Sequence, residues 1–214
     1  LPAAKRLFGD DSLEPDYAAL QSENGYYPQS PLESNFHCLQ RVCAEGEAAK
    51  IFEILPRSEC REQLAAALMQ RDPLPAEAAA AALESPHALV VELAASILGR
   101  VANKADAKPL GPAMKRWLEL WDERFQLAIR SEWWYWENVD EATKALCRLA
   151  WAAGRAEVAK AELFALLTSH QQQIRYSDVR TAAISAICQL KLTKTDLQTI
   201  EQFTGDSNAG VRVA

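Results

Sequence analysis

The stretch Ser177-Asp178-Val179-Arg180-Thr181-Ala182-Ala183-Ile184-Ser185-Ala186-Ile187 decides how this chain is read. Its apolar residues, with Leu190, fall at Val179, Ala182, Ala183, Ala186, Ile187 and Leu190, three or four apart, the stripe of a helix that buries one face. The same offsets counted from Val90 meet Val90, Leu93, Ala94, Ile97, Leu98 and Val101. Counted from Ala142 they meet Ala142, Ala145, Leu146, Leu149, Ala150 and Ala153. Amphipathic helices share this spacing by default, so the register alone predicts helices and not a repeat.

Outward from these segments the chain alternates apolar stripes with brief polar breaks. Residues 1–30 hold Gly9, Pro15, Gly25 and Pro28, punctuation too dense for one long helix, so an irregular N-terminal segment is expected with one short helix near residues 17–21. From Pro31 the pattern turns helical. Helices are expected over residues 31–46, 47–55, 58–70 with Ser58 as N-cap, 75–83, 86–101, 109–136, 140–153, 155–169, 177–190 and 195–203. Connections this short place successive helices antiparallel.

Two segments share more than periodicity. Ser177-Asp178-Val179-Arg180-Thr181-Ala182 and Asn208-Ala209-Gly210-Val211-Arg212-Val213-Ala214 both carry Val-Arg-x-Ala after a polar turn, 32 residues apart. Here the sequence resembles the HEAT-repeat family, whose second helix often opens with a polar turn, Val-Arg, and a run of Ala and Leu. Ser85-Pro86-His87-Ala88-Leu89-Val90 is similar, with Val91 where Arg180 stands. The likeness is good over residues 137–214, fair over 75–103 and poor before residue 60. It implies an all-α fold, a right-handed α-solenoid of antiparallel helical hairpins over residues 31–214, in which each hairpin completes its core against its neighbours. It also implies that Arg180 and Arg212 tie neighbouring repeats through acidic groups or carbonyls, with Asp178 and Asp206 at hand. Because Val211-Arg212-Val213-Ala214 only begins a helix, further repeats are expected beyond residue 214.

Composition is consistent with this reading. The 214 residues can bury a large core without crosslinks, and only 8 are Gly. The net charge of −6 is unevenly spread: residues 1–100 carry 8 basic and 15 acidic side chains, residues 101–154 carry 8 of each, and residues 155–214 carry 7 and 6. No concentrated basic run appears, which argues against nucleic acid as the main partner. Five cysteines without a CxxC pair point to reduced thiols and a cytoplasmic address, and no apolar run is long enough to span a bilayer.

Catalytic signatures are missing. There is no GxSxG, GxGxxG, P-loop or HExxH pattern, and His37, His87 and His170 lie far apart. A non-catalytic module without a cofactor is therefore expected. His37 and Cys38 with Cys43 and Cys60 form the one grouping that suggests zinc, but Cys38 and Cys43 would sit about 140° apart on a helix, so small buried thiols explain them better.

The unusual feature is aromatic. Trp117, Trp121 and Phe125 recur at four-residue spacing and read as core. The run Trp133-Trp134-Tyr135-Trp136 cannot face one way on a helix, so one or two of its rings meet solvent, a neighbouring repeat or a partner. Lys144, Arg148 and Trp151 form a cationic and aromatic stripe opposite the apolar face. The resemblance places such a stripe on the concave surface, where an acidic peptide or another anionic ligand could lie; the alternative is a solvated helix face. The matching positions are Glu92, Ser96 and Gly99 in the earlier segment and Thr181, Ser185 and Cys188 in the later one. The expected function is a scaffold or protein-binding module using Trp133, Trp134, Trp136, Lys144, Arg148 and Trp151. A DNA-lesion enzyme on HEAT-like repeats is the alternative, and a small-ligand enzyme on the same scaffold ranks third.

Overall fold

The computed structural model describes residues 48–130, 135–170, 173–206 and 209–213. Among these residues it contains ten α-helices, three short 3-10 turns and no strand, so the chain is all-helical there. No described helix is long and apolar enough to cross a membrane. The expected irregular segment at 1–30, the helix at 31–46, and His37, Cys38, Cys43, Trp133 and Trp134 all lie outside the described residues.

The chain divides into two compact units, residues 1–75 and 76–214. In the first, α1 (Ala48–Ile54) runs into a 3-10 turn at Leu55–Arg57, where Pro56 occupies an early position that needs no N–H donor. Helix α2 spans Arg61–Met69 and does not start at Ser58 as its sequence suggests. The Ser58 hydroxyl accepts from the Cys60 N–H at 3.0 Å, closing a local turn that delays the helix.

The second unit comprises α3 (Ala76–Ala82), α4 (Ala88–Val101), α5 (Leu110–Arg130), α6 (Tyr135–Ala156), α7 (Lys160–Thr168), α8 (Ser177–Ile187), α9 (Lys194–Glu201) and α10 (Ala209–Val213). The boundaries that differ most from expectation flank α6, where Tyr135 and Trp136, expected to end the helix from residue 109, open the next one. Helix α6 begins five residues before Asp140: Val139 ahead of it is buried, and the half-buried Trp136 meets the edge of Phe125 at 5.9 Å. Asp140 is thus an exposed residue inside the helix and not its start. Arg155 closes α6 instead of opening α7; the backbone turns only where Glu157 and Ala159 adopt φ of 53° and 56°.

Helices α5 and α6 form an antiparallel hairpin whose pairings run in opposite senses. The Trp121 indole N–H donates to the Thr143 hydroxyl at 2.9 Å, Arg124 donates to the Asn138 carbonyl at 2.9 Å, and Phe125 meets Trp136. Trp117 and Trp121 are fully buried. Removing either ring is expected to cost about 3–5 kcal/mol, the range for large aromatics in cores.

Helix α6 packs on α4 along one flank and on α8 along the other, and α8 in turn meets α10. Small residues permit the approach. The Trp151 ring occupies the space a Cβ at Gly99 would need, and Gly154 lies against the backbone of Ala186. Glu92 interacts with Lys144 and Arg148 as Gly99 does with Trp151, so α4 and α6 run in the same direction. The couplings of Cys147 to Asp178 and of Gly154 to Ala186 give the same result for α6 and α8. On the other layer, Gly111 of α5 touches Ala159 and Glu162 at the start of α7.

Two arginines tie helices to loops elsewhere in the second unit. Arg116 of α5 donates to the carbonyls of Leu83, Glu84 and Ser85 at the end of α3, where the helix dipole favours a cation. Arg180 is wholly buried; its guanidinium donates to the Asp206 carboxylate and to the carbonyls of His170 and Gln173. This is the tie that the Val-Arg motif leads one to expect.

Candidate functional site

Helix α6 has an apolar side made largely of alanine: Val139, Ala142, Ala145, Leu146, Leu149, Ala150, Ala152, Ala153 and Ala156 are all buried. The residues left on its outer side include Trp136, Asp140, Lys144, Cys147, Arg148 and Trp151, a stripe roughly 22 Å long at the helical rise. Its two ends are built differently.

At the C-terminal end, Trp151 is half-buried with its ring laid over Gly99 of α4, and a Cβ there would stand 2.3 Å from the ring carbon Cζ3. The Arg148 guanidinium lies over the ring of Trp151, 5.5 Å from its centroid. Cation–π contact and packing hold both planes without engaging the guanidinium N–H groups. Lys144 is exposed, and neither it nor Arg148 closes an ion pair among the described residues. By contrast Arg116, Arg124, Arg175 and Arg180 each have a carboxylate.

The flanking helices leave this patch open. On α4 the matching positions are Glu92, Ser96 and Gly99, and the Ser96 hydroxyl is turned onto its own helix, donating to the Glu92 carbonyl at 2.7 Å. On α8 they are Thr181, Ser185 and Cys188, with Thr181 donating to the Ser177 carbonyl at 3.0 Å. Burial raises the Glu92 carboxyl above the usual range, against the opposing pull of Lys144 and Arg148; Glu141 adds a smaller upward push. Cys147, half-buried between them, is pushed up to about 12 by desolvation and by Asp178 and Glu92. It is a protonated thiol at neutral pH and a poor nucleophile.

At the N-terminal end, Trp136 joins a separate aromatic cluster. Arg175 caps its ring at 4.1 Å and lies 3.8 Å from Asp140. Trp121 stacks on Phe125 at 4.9 Å and meets His170 and Tyr176 at 4.8 Å each. His170, whose φ is 48°, places Nε2 2.5 Å from Asp122. Burial, with Asp122 and Cys147 adding to it, pushes the Tyr176 hydroxyl up, so it stays neutral. Nothing in the spacing of Trp121, His170 and Tyr176 announces this cluster, because the turn between α7 and α8 brings His170 and Tyr176 back to α5.

The structure therefore brings Lys144, Arg148 and Trp151 together and sets Trp136 at the other end of α6, capped by Arg175. An open groove of about 420 Å³ lies between α5 and α7, with Met114, Leu118 and Leu166 on its floor and Lys115, Glu119 and Glu162 among its charged lining. Among the described residues no cluster of three or more His, Cys, Asp or Glu side chains is arranged to hold a metal ion. No family model, curated protein or solved structure matches the chain.

Proposed function

We propose that the chain is a HEAT-like α-solenoid segment that works as a protein-binding module, taking an acidic segment of its partner across α4, α6 and α8 at Lys144, Arg148 and Trp151. The solenoid part is supported by the succession in which α4, α6, α8 and α10 neighbour one another, with α5 and α7 in contact on the other layer. Arg116, which bonds to the Leu83 carbonyl after α3, and Arg180, which bonds to the Asp206 carboxylate ahead of α10, support it too.

The observation that carries the binding reading is the Arg148–Trp151 pair seated on Gly99, beside a Lys144 that closes no ion pair among the described residues. A guanidinium fixed in position, with its donors free, loses little entropy when it meets a carboxylate. The adjacent indole offers apolar area next to that charge, the combination common at interface hot spots.

The test uses a fluorescein-labelled synthetic peptide rich in glutamate with one tyrosine, its glutamine counterpart, and labelled duplex DNA, followed by anisotropy. The expected result is preferential binding of the acidic peptide and its loss in Lys144→Glu/Arg148→Glu, with helicity and Tm unchanged. Equal binding by wild type and variant would remove this patch from the proposal. Tight duplex binding that falls steeply with salt would favour the DNA reading instead.

A further inference from the structure

Glu92 sits on the seam between α4 and α6, seven residues before Gly99, as Lys144 sits seven before Trp151. With the two helices running in the same direction, this register sets Glu92 beside Lys144, one turn from Arg148. The charged groups that act on it are Lys144, Arg148 and Glu141, all from α6, and the neutral Cys147 thiol lies near it. It is half-buried, and it closes no ion pair with either cation among the described residues.

We propose that Glu92 is an internal competitor on this surface: it partly neutralises Lys144 and Arg148 in the free protein, and an acidic segment that docks there takes the two cations from it. This rests on the reading of Lys144 and Arg148 as a partner site. The physical argument has two parts. An incoming carboxylate placed on the two cations is also brought close to Glu92, and like charges at that range oppose each other. A partner covering the patch also strips more water from a carboxylate that is already poorly solvated and directly bonded to no cation, which adds to the cost of binding.

Glu92 therefore sets selectivity. A partner whose carboxylates can hold both cations, or that brings a donor to Glu92, overcomes the opposition, and a weakly acidic one does not. The raised carboxyl supports the same view, since burial outweighs both cations at this position.

The experiment measures the Kd of the labelled glutamate-rich peptide near neutral pH and constant ionic strength. The proteins are wild type, Glu92→Gln, Lys144→Glu/Arg148→Glu and the triple variant. Glu92→Gln is expected to bind about twofold to fivefold tighter than wild type, the size of one part-exposed charge contact. The gain should vanish in the triple variant, because there is no longer a cation pair to compete for. A Glu92→Gln variant that binds like wild type, or that gains equally without the two cations, overturns the competitor role while leaving Lys144 and Arg148 as the site. A wild type that does not bind the peptide overturns that reading and the competitor with it. A Glu92→Gln variant whose circular dichroism departs from wild type is replaced by Glu92→Ala, for which the same tightening is expected.

Discussion

Two glycines separate a close approach that can yield from one that cannot. At Gly99 an added methyl group meets the far edge of the Trp151 ring, and at Gly154 it meets the Cα of Ala186 at 2.7 Å. A ring can rotate away; a helix backbone cannot move without its neighbours. Gly99→Ala is therefore expected to cost about 1–2 kcal/mol and to shift Trp151 fluorescence, with Gly154→Ala costing more, about 3 kcal/mol or above, by chemical denaturation. Equal costs would mean that Trp151 is held as rigidly as the α8 backbone. Arg180 belongs to the same scale. Its guanidinium is 0% exposed and the Asp206 side chain 6%, so the pair has partners for its charge at the cost of nearly all its water. The Val-Arg motif made that role legible in advance. Gly99 under Trp151 was legible only as matched register positions, since spacing gives the alignment of two helices and not the distance between them.

At the scale of elements, helix ends were the least legible feature, and the reasons are specific. Asp140 has the chemistry of an N-cap yet lies inside α6 facing Arg175, because the buried Val139 and the contact of Trp136 with Phe125 carry the helix back past it. Glu157 and Ala159 give no hint of left-handed backbone, a conformation that glycine or asparagine would have announced. Helix α9 is the contrasting case, with a complete capping box in which Thr193 accepts from the Asp196 N–H and Asp196 accepts from the Thr193 N–H. Lys160 of α7 adds an ion pair to the same carboxylate. Together Lys160 and the Thr193 donors hold the Asp196 carboxyl down to about 2, against 3.8 without them. A carboxyl depressed on folding contributes stability that is complete above its unfolded value and is lost as pH falls through the folded one. The stability gap between wild type and Asp196→Asn, measured by urea unfolding, should stay constant from neutrality to about pH 4 and narrow toward pH 2. A constant gap throughout would show that Asp196 acts without its charge.

For the molecule as a whole, the shared register of the segments from Val90, Ala142 and Val179 corresponds to α4, α6 and α8, the three helices that lie side by side. The helices could be read from residues, because each stripe of Ala and Leu needs a partner; the shared register did not by itself give their order in space. The proposed patch was half legible: Lys144, Arg148 and Trp151 were named from helical spacing. Their isolation from other carboxylates depends on Asp140 and Glu141 pairing with Arg175 and Arg124, which only folding decides. The His170 and Asp122 pair was not legible, because the two lie on different helical segments far apart in the chain.

The claim underlying all of this is that α4, α6 and α8 form a row, with α6 between the other two. Spin labels at Ser96 of α4 and Ser185 of α8, in a background with the native cysteines replaced, give the distance across that row by pulsed electron resonance. Two helix spacings, about 16–20 Å between backbones before the label arms are added, are expected. A distribution centred on one spacing, about 8–10 Å, would mean that α4 and α8 touch around a closed bundle, and would contradict the account.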